Sequence, residues 1–377
     1  MRNSIKPRII AFYLPQFHPT PENDRWWGKG FTEWTNVAKA RPLFRGHHQP
    51  HIPADLGFYD LRLPESRIAQ AELARSFGIS AFCYWHYWFG KGKKLLNYPF
   101  EEVVRTQKPD FPFCLAWANH SWYNKQWASN SSAYISLKKP KLLMEQKYEG
   151  AEDYIAHFYD LLSAFKDDRY YKVHGKLLYV IFSADDFSDF PLFKQIWNEL
   201  AEKENLPGFF FVAHNIVYNT EDKSENYKAL GYDAINFSLH AKPFALKTGL
   251  IGRIQQYITS GPKIVDYKKA IQIMDSPRFE EKEIFPTIIP NWDHTPRSGR
   301  FGRLFKNCTP ELFGQHVRKT FNRIKEKPAE DQIVFLKSWN EWGEGNYLEP
   351  DLEYGTAFGE TLRNEIESYN TSIKING

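Results

Sequence analysis

The stretch IVFLKSWNEWGEG, at residues 333–345, begins as an apolar run typical of a buried strand and ends in two glutamates three positions apart. On a flat strand, Glu341 and Glu344 would point to opposite faces. Gly343 and Gly345 let the chain turn here, and a helix-like turn would bring both carboxyls to one side. The pattern indicates either a catalytic acid–base pair or a strand cap with solvated acids.

The same stretch contains a conflict. Strict alternation along the strand puts Lys337 and Trp339 on the same side as Glu341. Either the lysine lies inside the fold at the end of the strand, or the strand is irregular.

Outward from this stretch, short β-rich apolar runs alternate with helical stretches, as in βα units around a parallel sheet. Eight strands are predicted, at 8–13, 79–87, 111–119, 177–183, 209–215, 234–237, 286–291 and 333–339. Helices are predicted between most of them, including 66–77, 151–165, 190–205 and 310–325. Eight such units predict an α/β fold, a closed (β/α)₈ TIM barrel.

The chain is expected to form one domain over residues 1–377, with its barrel core at about 8–370, because no repeat or Gly/Ser linker divides it. The extra length lies in loops after strands one, three and six, including 121–147 and 240–283. Such loops belong to the carboxyl-terminal face, where barrel enzymes place their sites. A deep cleft is therefore expected there.

The composition favours an enclosed enzyme fold. Apolar residues make up 42% of the chain and aromatic residues 17%, many of them beside His, Asn or Asp. The net charge is only +4, from 49 basic and 45 acidic residues, and the densest basic run is at 138–141. The electrostatic footprint of a nucleic-acid-binding protein is missing.

The cysteines and the amino terminus bear on the compartment. Cys83, Cys114 and Cys308 cannot all pair, and the first two lie in apolar runs, which fits a reducing compartment. The apolar run at 9–14 is too short for a signal-peptide core or a membrane span. The expectation is a cytoplasmic chain without a membrane span, or a periplasmic or secreted one if a leader has been removed.

Aromatic and hydrogen-bonding residues recur at the predicted strand ends and in the first loop, a combination typical of carbohydrate sites. The predicted substrate-binding set is Tyr13, Gln16, Trp34, Tyr84, His86, Trp88, Trp117, Asn119, His120, His214, Trp292, Asp293, Asn340 and Trp342. The same ring of strand ends also contains His18, Trp85, Asp185, Asn215, His240 and His294. Any one of these residues alone could be structural. Glu33, in the first loop, either accepts a hydrogen bond from a sugar or forms a salt bridge that organises the loop.

Other chemistries lack their sequence signals. A zinc site needs about four ligands, and neither the pair His47 and His48 nor His18 with Asp24 has partners at metal spacing. The chain has no G-x-S-x-G elbow, P-loop or dinucleotide fingerprint. Neither a metal nor a cofactor is predicted.

Longer motifs carry a family resemblance. They are FYLPQFHP at 12–19, WWGKGFTEWTNV at 26–37, QPHIPADLG at 49–57, YWHYW at 84–88, LAWAN at 115–119 and WNEW at 339–342. With these motifs the chain resembles the WbsX-like family over about 9–369. That family is associated with bacterial lipopolysaccharide and surface-polysaccharide gene sets. Its core is similar to the endo-α-mannosidase type of glycoside hydrolase, family 99, a (β/α)₈ barrel.

The resemblance implies a retaining glycoside hydrolase that acts on an oligosaccharide or polysaccharide through Glu341 and Glu344. By analogy, Glu344 is the general acid/base, and Glu341 is a base on the sugar's 2-hydroxyl that assists formation of a 1,2-anhydro sugar. The common scheme, in which a carboxylate attacks directly, stays open. The analogy favours an α-mannoside, although the loops could redirect specificity to a rhamnose-, fucose- or galactose-containing polymer. The alternatives are a glycosyltransferase of lipopolysaccharide, O-antigen or surface-polysaccharide biosynthesis and a non-catalytic carbohydrate-binding barrel.

Overall fold

A computed structural model of the chain describes residues 7–124, 141–217, 222–245 and 261–376. Large parts of the two insertions expected at 121–147 and 240–283, and most of the basic run at 138–141, lie outside the described residues. Within the described ranges, no helix has the length and apolar character needed to cross a bilayer.

Eight parallel strands form a closed barrel, which confirms the (β/α)₈ prediction. They are β1 (Arg8–Tyr13), β2 (Ala81–Trp88), β3 (Phe113–Trp117), β4 (Lys176–Ile181), β5 (Phe209–Ile216), β6 (Ala234–Ser238), β7 (Ile284–Ile288) and β8 (Ile333–Leu336). Each strand pairs with the next along the chain. The ring closes where Arg8 lies opposite Ile333 and Ala11 opposite Leu336.

Helices surround the barrel and extend its loops. They are α1 (Pro21–Trp27), α2 (Glu33–Lys39), α3 (Pro64–Ser76), α4 (Tyr98–Thr106), α5 (Ala151–Phe165), α6 (Phe190–Lys203), α7 (Ser224–Leu230), α8 (Lys242–Ala245), α9 (Tyr267–Met274), α10 (Thr295–Ser298), α11 (Pro310–Ile324) and α12 (Ala357–Asn376). Helix α11 starts as its sequence indicates, since the Thr309 side chain accepts a hydrogen bond from the Leu312 amide and Pro310 takes the first position.

Short elements decorate the loops. The additional strands are Lys94–Leu95, Trp122–Tyr123, Leu142–Met144, Lys172–Val173, Lys263–Asp266, Arg303–Lys306, Asn340–Glu341 and Asn346–Tyr347. The 3₁₀ turns are Ala184–Asp186, Pro277–Glu280, Gly299–Phe301, Ala329–Asp331 and Trp342–Glu344. Several of these elements follow β7 and β8, where the candidate site lies.

The barrel interior is aromatic. The ring of Phe12 stacks on Trp85 at 4.7 Å and on Phe335 at 5.2 Å, and its edge meets His214 of the opposite strand at 5.4 Å. Because side chains alternate along a strand, the neighbouring Tyr13 points outward, towards the helices. This alternation decides which residues at the strand ends can reach a central cavity.

Candidate active site

The chain turns after β8 in the way the two glycines indicate. The short strand Asn340–Glu341 pairs with Asn346–Tyr347, and the turn Trp342–Glu344 connects them. Gly345 has a φ of +51°, a left-handed conformation that a glycine adopts without strain. The turn brings the carboxyls of Glu341 and Glu344 to the wall of one cavity. The solvated strand cap is therefore excluded, since both carboxyl side chains are at most 15% exposed.

Both explanations offered for the position of Lys337 apply: the lysine lies inside the fold, and the chain is irregular after the strand. Lys337 lies inside, on the cavity wall, with its ammonium 5.4 Å from the centre of the Trp292 ring. The strand ends at Leu336, and Ser338 has a φ of +142°, which breaks the alternation. Trp339 consequently packs outward against Phe82, while Glu341 returns to the cavity.

One buried arginine holds the two carboxyls. Arg297, on α10, directs Nη1 towards Glu341 Oε1 at 3.1 Å and Glu344 Oε1 at 2.5 Å. Its Nε and Nη2 each donate to Glu33 across 3.0 Å, a bidentate pair. Glu33 is fully buried, so of its two possible roles the structure shows the salt bridge that organises the first loop.

Glu33 also explains the glycine between the two glutamates. A Cβ atom at Gly343 would lie 1.5 Å from Glu33 Oε1 and 3.0 Å from Arg297 Nε. A side chain there would displace the carboxylate that orients the guanidinium. Gly343 therefore lets the carboxylate–guanidinium cluster approach the backbone of the turn.

The surroundings push the pKa values of the two carboxyls apart. Burial raises the pKa of Glu341, and the negative charge of Glu344 adds to that shift. Burial acts in the same direction on Glu344, but the Arg297 guanidinium, followed by His294, holds its pKa below the ordinary value. His294 Nε2 is 3.5 Å from the Glu344 carboxylate. The ligand-free pair therefore keeps a proton more readily on Glu341, and such a split suits acid–base work.

The cavity at this end of the barrel has a volume of about 560 Å³, within the range common for ligand pockets. It combines aromatic walls with polar groups, as the sequence indicates for a carbohydrate site. Its aromatic lining is Trp85, Tyr87, Trp122, Phe182, Phe244, Trp292 and Phe301. Its polar lining is Gln16, His120, His240, His294, Arg297, Ser298, Arg303, Lys337, Glu341 and Glu344.

Three residues of the predicted substrate-binding set line this cavity: Gln16, His120 and Trp292. Each has a buried polar atom without a hydrogen-bond partner among the described residues, namely Nε2, Nδ1 and Nε1 respectively. Buried polar groups in proteins are nearly always paired, so these atoms are available to a ligand or to water. Their contact with a sugar stays a prediction.

Five residues of the set point out of the barrel, and their predicted place in the cleft is wrong. They are Tyr13, Tyr84, His86, Trp88 and Trp117, all of which are buried. Tyr84 contacts Phe100 of α4 and Tyr13 donates to Gln70 of α3.

The other three pack against α5 and α6. His86 contacts His157 of α5 through the two Nε2 atoms at 2.8 Å, and Trp88 Nε1 donates to Asp153 of the same helix. The Trp117 ring stacks near Phe193 of α6, and its Nε1 donates to a main-chain carbonyl. Alternation sends all five side chains to the helix side of the sheet, which explains the error.

Two asparagines of the set hold loops and do not line the cavity. Asn340 accepts from the Leu14 amide at 2.8 Å and donates to the Leu14 carbonyl at 3.1 Å. Asn119 makes the same pair of bonds with Ser183, at 2.7 and 3.0 Å. Each side chain ties one strand end to another segment, so its amide is not free for a sugar.

The remaining four residues of the set also have structural partners. Asp293 accepts from His47, Gln49 and the Thr295 amide. Trp34 donates to the Tyr59 carbonyl, Trp342 stacks on Tyr347 at 3.7 Å, and His214 contacts Asn236. None of the four lines the cavity, so their predicted sugar contacts are corrected to loop and core packing.

Sequence reasoning missed Tyr87 and Arg297. Every residue of β2 is buried, so apolar character cannot distinguish the inner face from the outer one. Alternation starting from a known inner residue such as Trp85 would have found Tyr87. Arg297 lies on a helix of four residues, and no periodic signal marks it.

Comparisons with known proteins agree with this architecture. A family model described as "Glycosyltransferase WbsX" matches residues 9–362. Two curated proteins of Xanthomonas campestris pv. campestris, each named "Uncharacterized protein WxcX", are 32% identical over 364 residues and 95% of this chain. The match covers 49% of each, so the chain spans about half the length of the curated relatives it matches.

Solved structures show the fold. A GH99 endo-alpha-mannosidase from Bacteroides thetaiotaomicron has a TM-score of 0.56 at 13% identity, covering 98% of this chain and 99% of that one. A "Glycoside hydrolase-like protein" has a TM-score of 0.56 at 16% identity, covering 96% of this chain and 94% of its own. The resemblance read from the motifs is confirmed: the chain belongs to the WbsX glycosyltransferase family and has a (β/α)₈ barrel similar to that of GH99 endo-alpha-mannosidases.

Proposed function

We propose that this chain is a retaining glycoside hydrolase that cleaves an oligosaccharide or polysaccharide in the 560 Å³ cavity, with Glu341 and Glu344 as its catalytic carboxyls. One observation carries the proposal: two carboxyls on the wall of an aromatic cavity share Arg297, and their pKa values are shifted in opposite directions from the ordinary value. A glycosidase needs one carboxyl that gives a proton and one that acts as an anion. The fold of the GH99 endo-alpha-mannosidases supports the same chemistry.

The division of labour between the glutamates is itself open to test. The family analogy makes Glu344 the acid, which requires substrate binding to move its carboxyl away from Arg297. The ligand-free electrostatics favour Glu341 as the proton carrier, which requires no such movement. Substrates with activated leaving groups decide between them, because a variant that lacks the acid keeps its activity on leaving groups that depart without protonation.

The substrate class proposed first is an α-mannoside, or a bacterial surface polysaccharide containing related sugars. Trp292 provides an indole face close to His240, with ring centres 4.7 Å apart, and Lys337 provides a charge near the same ring. Aromatic faces beside hydrogen-bonding groups favour a sugar over an apolar ligand.

The test is cleavage of a panel of α-mannosides and bacterial surface polysaccharides by wild type, Glu341→Gln and Glu344→Gln. Glu72→Gln is the matched control, because Glu72 is exposed on α3. We expect each active-site variant to lose roughly 10²–10⁴-fold in rate and the control to lose none. Equal turnover by wild type and both active-site variants would contradict the proposal.

The second candidate is a glycosyltransferase, which the description of the matching family favours. Its test is transfer from activated nucleotide-sugar donors to a polysaccharide acceptor. Transfer without any hydrolysis would replace the hydrolase proposal. Saturable sugar binding without either reaction would instead indicate a carbohydrate-binding barrel.

A further inference from the structure

A second cavity, of about 850 Å³, shares Trp292 with the candidate active site. Loops that follow β1, β6, β7 and β8 form its walls. His48, His51 and Glu353 lie together on this wall, and one potential ligand atom from each lies within 4.8 Å of the others. The site's two imidazoles come from the first loop and its carboxylate from the last.

Backbone hydrogen bonds fix the two loops against each other at this point. Leu352 N donates to the Ile52 carbonyl at 2.9 Å, and Ala54 N donates to the Pro350 carbonyl at 2.9 Å. The Asp351 carboxylate accepts from the Glu353 amide at 3.0 Å. The chain therefore brings the three side chains together before any ligand arrives.

The side chains are in states that suit a metal ion. His51 Nδ1 is buried and has no hydrogen-bond partner among the described residues. A neutral imidazole binds a metal ion through such an unpaired ring nitrogen. His48 Nδ1 and a Glu353 carboxylate oxygen are hydrogen-bonded to each other. A metal ion replaces the shared proton of such a pair.

The distances are close to those of a zinc site. Zinc binds imidazole nitrogen at about 2.0–2.1 Å and carboxylate oxygen at about 2.0–2.2 Å, so in a tetrahedral site the ligand atoms lie roughly 3.3–3.5 Å from one another. The three atoms lie within 4.8 Å of one another. The half-exposed His48 side chain, at 49%, and the Glu353 side chain, at 33%, have room to make this small adjustment.

We propose that His48, His51 and Glu353 bind one divalent transition-metal ion, with Zn²⁺ the best match to two nitrogens and one oxygen. Three protein ligands leave a fourth position open, as in zinc sites that hold water or an external oxygen ligand. Because all three residues line the second cavity, that position is available to a ligand there. The bound ion also joins the loop after β1 to the loop after β8.

The sequence alone could not show this site. His48 and Glu353 are 305 positions apart, and the acidic partner lies in a loop without a metal motif. The prediction that His47 and His48 lack partners at metal spacing fails for His48 for this reason. His47 turns the other way, towards Asp293.

The test is titration of the metal-free, untagged chain with Zn²⁺ by calorimetry, and with Co²⁺ by its visible absorption. We expect one equivalent to bind and the melting temperature to rise as the site fills. His48→Ala, His51→Ala and Glu353→Gln should each weaken binding at least tenfold. The control is His174→Ala, whose ring pairs with Glu330 and Asp331 elsewhere on the molecule.

Absence of saturable binding by the wild type would overturn the proposal, and so would unchanged affinity in all three ligand variants. His48 is the most exposed of the three side chains, so His48→Ala tests the site even if His51→Ala disturbs the loop. Sugar cleavage is not part of this readout. Failure of the metal site is therefore distinguishable from failure of the proposed glycosidase.

Discussion

At the scale of single residues, Glu33 fixes the position of the arginine in the candidate site. Its bidentate contact with Arg297 fixes the guanidinium that faces both Glu341 and Glu344. A buried charge that loses its partner is strongly destabilising, by roughly 3–5 kcal/mol. The role of Glu33 is thus to position the arginine, and it does not need to touch substrate.

We expect Glu33→Gln to lower the free energy of unfolding by about 3 kcal/mol, the lower end of that range, because Glu341 and Glu344 still face Arg297. The pH profile of any activity should also shift, since the arginine that sets the Glu344 pKa loses its fixed orientation. Denaturant unfolding and a pH–rate profile measure the two effects. A change below 0.5 kcal/mol with an unmoved profile would show that Glu33 is not a positioning residue.

Two tryptophans from the same predicted ring make a matched pair. Trp292 lines the cavity, whereas Trp117 is 1% exposed and packs between helices. We expect Trp292→Ala to weaken sugar binding while the protein stays folded, and Trp117→Ala to destabilise the fold by roughly 3–5 kcal/mol. Sugar titrations and thermal unfolding separate these effects. Intact affinity in a folded Trp292→Ala variant would remove its role as a platform.

At the scale of elements, the turn after β8 depends on a clasp to β1. The Asn340 side chain is fully buried and pairs with both main-chain groups of Leu14. Truncation leaves these buried groups unpaired, at about 1–3 kcal/mol for each. This clasp holds the position from which Glu341 and Glu344 start.

Asn340→Ala should therefore destabilise the protein by roughly 2–6 kcal/mol and lower activity together with stability. Unfolding measurements and turnover assays on the same preparation check both. The comparison variant is Asn124→Ala, whose side chain accepts from an exposed loop amide. Equal stability of the Asn340→Ala variant and wild type would show that the turn holds without the clasp.

Elements were predictable to different degrees. The eight apolar runs located all eight barrel strands, with the seventh displaced by two or three residues, because burial and βα alternation act through local sequence. The paired glutamates were predictable because Gly343 and Gly345 mark their turn. Tyr87 was hidden by the uniform burial of β2, and Arg297 by the shortness of α10, because both positions depend on tertiary packing.

At the scale of the whole molecule, one buried acid outside the cavity couples stability to pH. Burial raises the pKa of Glu349 to about 7, although Trp342, Gln70 and Tyr59 donate hydrogen bonds to it. The folded state holds this proton more tightly than the unfolded chain, whose glutamate pKa is about 4.3. Folding is therefore favoured at low pH by this group, and the contribution is lost as pH rises from about 4.3 to about 7.

The expected size of this loss is about 4 kcal/mol for a shift of this order. Replacing the carboxyl in Glu349→Gln should flatten the change in unfolding free energy across that pH interval relative to wild type. Denaturant unfolding at closely spaced pH values measures the difference. Parallel wild-type and variant curves would mean that Glu349 is not the titrating group.

The central claim, retaining hydrolysis by Glu341 and Glu344, is tested most directly by NMR of the first sugar released from a cleaved α-mannoside or surface polysaccharide. We expect the newly formed reducing end to have the anomeric configuration of the cleaved bond before mutarotation, and the signal to disappear with Glu344→Gln. An inverted first product would contradict retention, and an undiminished signal in both glutamate variants would contradict the site.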